Sequence, residues 1–534
     1  MAKRWSSVFV FATVIWGALA PLTWVVWQVL AGFFSTAEIL NYSQLGEMLK
    51  FTLLQSFLSS ALSIVLGGGL AFSFAGRSLP FRGFIKKMSL IPYSFPTVVV
   101  AIAFILCFGR SGWIGQWFGD NVSLMYNTSA IVAAHVFMNA PLVFTTLLLA
   151  IESLPQTYER QAKILALSNY SRWRYLVWPE LRNDIWGLFL TITLICFSSF
   201  SIVLILGGSP QRATLEVGIY SAIKSDGNFG TASLLGLLQI LFSAPIILLW
   251  KRVLSKQKSR VLSPNNPSLQ RDNGHILKTD RFVFFFILSI YLSLILPPLL
   301  SIAVDGFRGI FLLGESTQIH VLVGAVKGSL KLSLVSSLGS VLLAWVYARF
   351  VIDLRDKFPT LSNLLQEVPW LMMVFSPALL GIFWLYVSIK SSIAVGDLGL
   401  GFLMVAHVMM TFPIVYRIIY PPLDRLLVGY HKPMTLLNLT SRVRFWVIEW
   451  HELKFSLYAA WGVAVAFSVS DVSTVLLLSG GDYRTLSTLV FELMGSYKFS
   501  FAATVALMIG IFSILWAYFV EKLQARQKGD DLGY

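Results

Sequence analysis

Long apolar stretches alternate with short polar gaps along the whole chain. The apolar runs lie near residues 8–33, 51–76, 89–109, 129–151, 185–206 and 231–250, and then near 281–303, 329–352, 367–389, 401–420, 456–479 and 501–520. Each has about 20 residues or more, which is enough for a helix to cross ~30 Å of hydrocarbon. Helices are the predicted form because a helix satisfies its own backbone polar groups away from water. The pattern therefore predicts an all-α membrane protein with about 12 transmembrane helices.

Composition excludes a soluble protein. Of the 534 residues, 56% are hydrophobic and only 13% are charged, which leaves too little polar surface to cover a water-soluble core. The net charge of +15 could indicate a nucleic-acid partner. The Lys and Arg residues instead fall in the gaps between apolar runs and form no continuous basic face, so we expect no nucleic acid partner.

The basic gaps also predict an orientation. Most of the 41 Lys and Arg residues lie on one side if the two ends of the chain and the central polar stretch are placed together, and that side is the cytoplasm by the positive-inside rule. The first apolar run is longer than the apolar part of a signal peptide. We therefore expect a retained first span and two cytoplasmic termini, in a bacterial inner (cytoplasmic) membrane.

The chain is predicted to consist of two tandem homologous halves. Residues 1–250 and 282–534 would each hold six spans, joined by a polar cytoplasmic linker at 251–281 that is rich in Ser, Asn and Pro. The segment AHVFMNAP (Ala134 to Pro141) answers AHVMMTFP (Ala406 to Pro413). Because each half has an even number of spans, the two halves share one topology and are related by an axis along the membrane normal.

A polar segment between spans occurs once in each half. The first copy is RQAKILALSNYSRWRYLVWPELR (Arg160 to Arg182), and the second is KPMTLLNLTSRVRFWVIEWHELK (Lys432 to Lys454). They align from end to end without a gap. We expect each to contain a short helix, a break near Ala166 or Asn438, and an amphipathic helix with apolar residues three and four apart. Two matched loops on one side of the membrane suit a partner built of two like subunits.

These loops resemble the loop with the pattern E-A-A-x3-G-x9-I-x-L-P in permease subunits of binding-protein-dependent ABC importers. Ala166 and Asn438 take the Gly position, and the spacing from that position to Pro179 or His451 is the same as in the pattern in both copies. The Glu position holds a base in both copies, Arg160 in the first, so the letters of the pattern are degenerate while its spacing is intact.

The resemblance implies two tandem type I importer permease domains whose loops, at about 152–184 and 424–456, couple to an ATPase. Two copies of a cytoplasmic ABC ATPase would each receive one loop, and ATP would bind to that partner, leaving this chain without cofactor, metal or enzymatic activity. The alternative for each loop is an interfacial helix that only rests on lipid headgroups. The candidate coupling residues are Arg160, Ala162, Ala166, Trp173, Leu176, Val177, Pro179, Asn438, Phe445, Ile448 and His451.

A closer resemblance lies beyond each loop. The stretches GRSGW (Gly109 to Trp113), FSSFSIVLILGGSPQRATLEVGIYSAI (Phe197 to Ile223) and SDVSTVLLLSGGDYRTL (Ser470 to Leu486) are similar to those of fused permeases of bacterial importers for thiamine and its phosphates. That likeness implies a periplasmic substrate-binding protein as a further partner. Fused permeases of ferric-iron importers are the alternative, and a secondary transporter driven by an ion gradient is a more remote one.

Polar residues inside the apolar runs are candidates for a translocation path. Asp471 is such a candidate, because a carboxylate near a helix centre must face protein or water. It could meet a cationic thiazolium, or it could cap a break in its own helix, with serines around it. His135 and His407 occupy equivalent places, each six residues before a proline, and we expect them to make helix-to-helix contacts. The chain holds no G-x-x-x-x-G-K-[ST] phosphate loop.

Overall fold

The described part of the chain is built of helices. The computed structural model describes residues 2–34, 42–75, 77, 82–118, 125–208, 212–256, 281–311, 316–355, 357–391, 395–429, 443–479 and 483–530. Its α-helices are α1 Ala2–Phe34, α2 Tyr42–Phe74, α3 Arg82–Ser94, α4 Thr97–Phe108, α5 Gly115–Phe118, α6 Thr128–Glu152, α7 Gln156–Ile164, α8 Asn169–Arg172, α9 Trp178–Phe197, α10 Ser201–Leu206, α11 Leu215–Lys224, α12 Phe229–Lys256, α13 Arg281–Phe311, α14 Ser316–Arg355, α15 Pro359–Met372, α16 Pro377–Lys390, α17 Val395–Gly429, α18 Trp450–Ser470, α19 Ser473–Leu478, α20 Leu486–Gly495 and α21 Phe499–Asp530.

The predicted spans are confirmed as helices. Within the described ranges, nine helices are long and apolar enough to cross a membrane, and two bent pairs raise the number to eleven. The remaining predicted run, 185–206, corresponds to most of α9 together with α10. This run is not among the eleven, because α9 begins with polar residues, Arg182 and Asp184 among them, and only its later part is apolar. The chain is an all-α, multi-pass membrane protein.

The third predicted run of each half is bent rather than straight. Helices α3 and α4 meet at 105°, and α15 and α16 meet at 94°. A proline stands at each break: Pro96 precedes α4, and Pro377 is at the start of α16. Proline has no backbone N–H to continue the preceding helix and is well suited to the first turn of the next one. The same bend therefore recurs for the same reason in both halves.

The compact units of the structure do not coincide with the two halves of the sequence. One unit contains residues 1–41, 216–240 and 311–534, and the other contains residues 42–215 and 241–310. The first span of each half, α1 or α13, is thus grouped with the later spans of the opposite half. In the first unit, Trp16 of α1 packs against Phe383 and Trp384 of α16, with ring centroids 6.2 and 5.7 Å apart.

In the second unit, α13, the first span of the second half, packs against spans of the first half. Tyr291 of α13 packs against Phe144 of α6 with ring centroids 6.0 Å apart. The hydroxyl of Ser301 donates to the backbone oxygen of Ala103 in α4 at 3.2 Å. Helix α13 is therefore anchored on the spans of the first half by both apolar and polar contacts.

Helices α2 and α14 carry serines at the same relative spacing. Four buried serines of each helix lie on the faces that contact other spans; in matching order they are Ser56, Ser59, Ser60 and Ser63 of α2, and Ser333, Ser336, Ser337 and Ser340 of α14. Small side chains let helix backbones approach closely inside a membrane. The hydroxyl of Ser60 also bonds the Thr193 hydroxyl of α9 at 2.9 Å, and Ser336 lies 3.3 Å from Ser468 of α18. These helices form the centre of the packing in each half.

Candidate functional site: two elbows and two broken spans

The first repeated loop is an elbow between α6 and α9. Helix α7 ends at Ile164, and Ala166 has a left-handed backbone with φ +46°. The chain restarts as α8, whose first turn is capped by the Ser168 hydroxyl accepting from the backbone N–H of Ser171 at 3.2 Å. The predicted break near Ala166 is thus present. Glycine adopts a left-handed backbone without steric cost, which explains why the related loop pattern has Gly at this position.

A π-helical turn, Trp173–Val177, joins this elbow to α9, and Arg444–Glu449 forms the same turn in the second copy. In both copies the backbone N–H that follows the turn bonds five residues back: Trp178 to Trp173, and Trp450 to Phe445. Pro179 follows only the first turn, so the proline is not its cause. Such turns are rare and frequently mark functional positions.

The apolar face predicted for docking is partly turned into the protein. Val177 is 1% exposed, and the Trp173 ring packs edge-on against Phe72 of α2 with centroids 4.8 Å apart. Leu176 is half-buried. Val177 is therefore a core residue of the elbow and is not accessible to a partner.

A different set of apolar side chains faces outward on the first elbow. Ile164 is 81% exposed, Leu165 65%, Tyr170 73% and Tyr175 71%. They flank the left-handed residue Ala166 on both sides. The amphipathic spacing of the sequence did not single them out, because Ile164, Leu165 and Tyr170 lie at the break and its edges and Tyr175 lies in the π-helical turn.

The remaining predicted residues of the first elbow divide between surface and interior. Arg160, Ala166 and Pro179 are exposed, whereas Ala162 is fully buried. The carbonyl of Ala162 accepts the backbone N–H of Leu167 at 3.0 Å, which closes the end of α7. Ala162 thus shapes the elbow from inside.

The second elbow is described from Val443 onward. Asn438 lies outside the described residues. His451 is exposed, while Phe445 and Ile448 are half-buried. The Phe445 ring packs against Trp345 of α14 with centroids 5.3 Å apart. Glu449, which is fully buried, accepts a hydrogen bond from the Arg349 guanidinium of α14.

The two broken spans meet a histidine at equivalent positions. In the first half, α9 ends before α10 near Ser199, whose hydroxyl lies 2.9 Å from Nε2 of His135. In the second half, α18 ends before α19 at Asp471, whose Oδ2 lies 3.2 Å from Nε2 of His407. In the alignment of the two halves, His135 corresponds to His407 and Ser199 corresponds to Asp471. The predicted helix-to-helix role of the histidines matches these contacts.

Asp471 also serves the start of α19. Its Oδ1 accepts from the Ser473 hydroxyl at 3.1 Å and lies 3.5 Å from the backbone nitrogen of Thr474. Nδ1 of His407 lies 2.9 Å from the carbonyl oxygen of Leu403 and must carry hydrogen to bond it. A neutral His407 with its hydrogen on Nδ1 has a lone pair on Nε2, so Nε2 and Oδ2 of Asp471 attract each other only if one of these two atoms also carries a hydrogen.

The contacts of Oδ1 with Ser473 and Thr474 support the capping interpretation of Asp471.

The sequence reasoning missed a second buried carboxylate, Glu216 of α11. It is fully buried, and its oxygens accept from the backbone N–H of Ala378 at 2.9 Å and from Nε2 of Gln239 at 2.8 Å. Ala378 is in the first turn of α16, where a negative charge is favourable. The sequence feature that could have identified it is an acidic residue within an apolar segment. At the equivalent position, after the matching Thr-Leu pair, the second half has Ser487.

Comparison with known proteins covers almost the whole chain. No protein-family model matches it. The thiamine transport system permease protein ThiP of Escherichia coli strain K12 is 28% identical over 495 residues, 92% of this chain and 91% of that protein. ThiP of Haemophilus influenzae strain Rd is 27% identical over 507 residues, 91% of this chain and 90% of that protein.

A shorter relative matches only part of the chain. The sulfate transport system permease protein CysW of Synechocystis strain PCC 6803 is 25% identical over 201 residues, 36% of this chain but 72% of that protein. A permease of about half the length thus aligns with a stretch shorter than one of the predicted halves. The resemblance found in the sequence is confirmed: this fused, multi-pass chain is similar over nine tenths of its length to the permease proteins of thiamine transport systems.

Proposed function

We propose that the chain is the membrane-spanning permease of an ATP-driven, binding-protein-dependent importer that carries thiamine or its phosphates into the cytoplasm. The observation that carries this proposal is the similarity to thiamine transport permeases over 92% of the chain, with an elbow repeated in each half. A separate ATPase would hydrolyse ATP, and a periplasmic protein would deliver the substrate. The chain itself then needs to supply only the path and the movement.

Each elbow would receive one ATPase subunit, so that two copies bind one permease chain. The outward side chains Ile164, Leu165, Tyr170 and Tyr175 support this assignment for the first elbow. A cluster of exposed apolar residues within a basic, polar segment is typical of a protein interaction site. Nucleotide-driven closure of the two ATPase subunits would then move both elbows and the spans joined to them.

This function also supports the predicted orientation. ATP is found in the cytoplasm, so both elbows would lie on that side, together with both termini and the linker 251–281. A protease added to right-side-out vesicles should leave the linker intact. Cleavage there without access to the cytoplasmic face would overturn the orientation.

Transport is tested by reconstitution. The permease, its ATPase and its binding protein are placed in proteoliposomes, and uptake of labelled thiamine is measured with ATP inside. We expect ATP-dependent accumulation, and none with a non-hydrolysable analogue. Accumulation of ferric iron but not thiamine, or uptake driven by an ion gradient without ATP, would replace this proposal with one of the alternatives.

Docking is tested on the outward face of the first elbow. Leu165→Asp combined with Tyr175→Ser should weaken binding of the ATPase by a hundredfold or more, because each lost apolar contact is worth ~1.5 to 3 kcal/mol. Trp117→Ser, at an 84% exposed aromatic residue outside both elbows, is the control. Full retention of the ATPase by the double variant, or one ATPase per chain in the wild type by mass analysis, would contradict the assignment.

A further inference from the structure

The repeat allows contacts in the two halves to be compared position by position. In the first half, the backbone N–H of Leu215 donates to the Thr52 hydroxyl of α2 at 3.0 Å. In the second half, the backbone N–H of Leu486 donates to the Ser329 hydroxyl of α14 at 2.7 Å. This shared contact aligns α2 with α14, and the matching serines of the two helices follow the same alignment.

The alignment of the helices and that of the elbows identify two equivalent pairs. Phe72 of α2 lies as far along the chain from Thr52 as Arg349 of α14 lies from Ser329, so the two side chains correspond. In the aligned elbows, Val177 corresponds to Glu449. Each half therefore has one position on α2 or α14 and one in the elbow that can be compared directly.

At both helix positions a side chain contacts the elbow, but with different chemistry and at different elbow residues: Phe72 contacts Trp173, whereas Arg349 contacts Glu449. In the first elbow the Phe72 ring packs on the Trp173 ring, and Val177 of the same π-helical turn is buried. At the matching place in the second elbow, the Arg349 guanidinium binds Glu449, whose side chain has no exposure to solvent. The sequence patterns alone did not reveal this ion pair.

Stability alone does not explain why the second copy has an ion pair. Glu449 loses its hydration because its side chain is fully buried, while Arg349 stays 23% exposed, and apolar residues of similar size often stabilise a protein as well as a buried ion pair or better. An ion pair differs in how strongly it resists separation, because pulling it apart inside the protein leaves an uncompensated charge. Such a contact keeps its two helices together when one of them is moved.

We propose that Arg349 and Glu449 are positioning residues that make α14 and the second elbow move as one body, as Phe72 does for α2 and the first elbow. The inference rests on the proposed function, since it assumes that the elbow is moved by an ATPase. The proposed role requires no contact with ATP or substrate. Their role is to transmit the displacement of the second elbow to α14, the helix that carries the four buried serines.

The test compares Glu449→Gln with the double variant R349F/E449V, which places the apolar residues of the first half, Phe72 and Val177, at their aligned positions in the second. Glu452→Gln, at an exposed carboxylate three residues further on, is the matched control. Thiamine transported per ATP hydrolysed is measured in proteoliposomes, together with the melting temperature and the amount of ATPase retained. We expect Glu449→Gln to lower the transport-to-ATP ratio at least tenfold while the ATPase stays bound, and the double variant to restore most of it.

A second measurement needs neither ATPase nor substrate. Spin labels are attached to cysteines introduced at Leu342 of α14 and at Val443 beside the second elbow, both exposed, in the isolated chain; the natural Cys107 and Cys196 are buried. The distance distribution should be narrow in the wild type, at least twice as broad in Glu449→Gln, and narrow again in the double variant.

The outcomes separate this inference from the proposed function. A wild-type chain that imports no thiamine contradicts the function, while the spin-label widths still decide the inference. Unchanged widths and an unchanged ratio in Glu449→Gln would overturn the positioning role. A double variant that regains the wild-type melting temperature but neither narrow widths nor coupling would also overturn the correspondence between the two pairs.

Discussion

The two halves follow one backbone plan but hold it together differently. Ser199 and Asp471 occupy the same place beside an equivalent histidine, and Val177 and Glu449 occupy the same place in the elbows. The first half uses a hydroxyl and an aliphatic side chain, whereas the second uses carboxylates at both positions. The break and the elbow therefore require a shape and a contact, but no charge. The charges of the second half are additional to the fold, and they should be the positions where the halves respond most differently to substitution.

The largest difference is expected at the broken spans. Asp471→Ala leaves the buried His407 without its partner and removes the cap of α19, so we expect the free energy of unfolding to fall by about 3 to 5 kcal/mol. Ser199→Ala removes one neutral hydrogen bond and should cost about 0.5 to 1.5 kcal/mol. Melting of the two purified variants in one detergent measures the difference. Equal losses would show that the second pair carries no net charge interaction.

A smaller difference is expected at the elbows. Leu176→Asp and Ile448→Asp change equivalent, half-buried positions. Each should weaken binding of the ATPase by up to ~1.5 to 3 kcal/mol, the free energy of burying one aliphatic side chain. We expect the first half to tolerate less, because Pro179 fixes the backbone dihedral φ where His451 does not. Thiamine uptake and co-purification of the ATPase are measured for each variant. If both variants insert, retain the ATPase and transport at the wild-type rate, Leu176 and Ile448 have no coupling role, and an interfacial helix on lipid headgroups replaces it at these positions.

The smallest difference is expected where α11 and α20 end. Gly227 and Tyr497 stand two residues before equivalent phenylalanines and both have left-handed backbones, with φ +61° and +58°. A left-handed backbone costs a residue with a side chain about 1 to 2 kcal/mol. Tyr497→Gly should therefore raise the free energy of unfolding by up to about 1 kcal/mol, the gain being reduced because glycine also has more freedom in the unfolded chain. Gly227→Ala should lower it by a similar amount. A loss of stability in Tyr497→Gly would mean that the exposed tyrosine ring makes a stabilising contact.

Much of the fold followed from the sequence because the membrane leaves few choices. A helix is the form that satisfies an isolated backbone in hydrocarbon, so apolar length sufficed to predict the nine spans and two bent pairs of the described residues, and a repeated spacing located both elbows. The bends were not predicted, although Pro96 and Pro377 mark them, because a proline within an apolar run can also be accommodated in a continuous transmembrane helix.

The directions of side chains could not be predicted. Helical spacing placed Val177 among the docking residues, but it is buried at the end of a π-helical turn, where the angle between successive side chains differs from that of an α-helix. Glu216 was missed for a related reason: its partners, Gln239 and the start of α16, are brought to it only by folding. Arg349 and Glu449 are likewise far apart in sequence and paired only in the folded chain, and no local pattern reports such a contact.

The exchange of first spans between the compact units has a consequence for synthesis. Trp16 and Trp24 of α1 pack against Phe383 of α16, which is translated long after them. At about 5 to 20 residues per second, the ribosome needs roughly 20 to 70 seconds to reach that point. During this time α1 is already in the bilayer, with lipid where its aromatic partners will be. A chain that stops before Phe383 never gains them, so truncated products should carry an unpacked first helix and be open to membrane proteases.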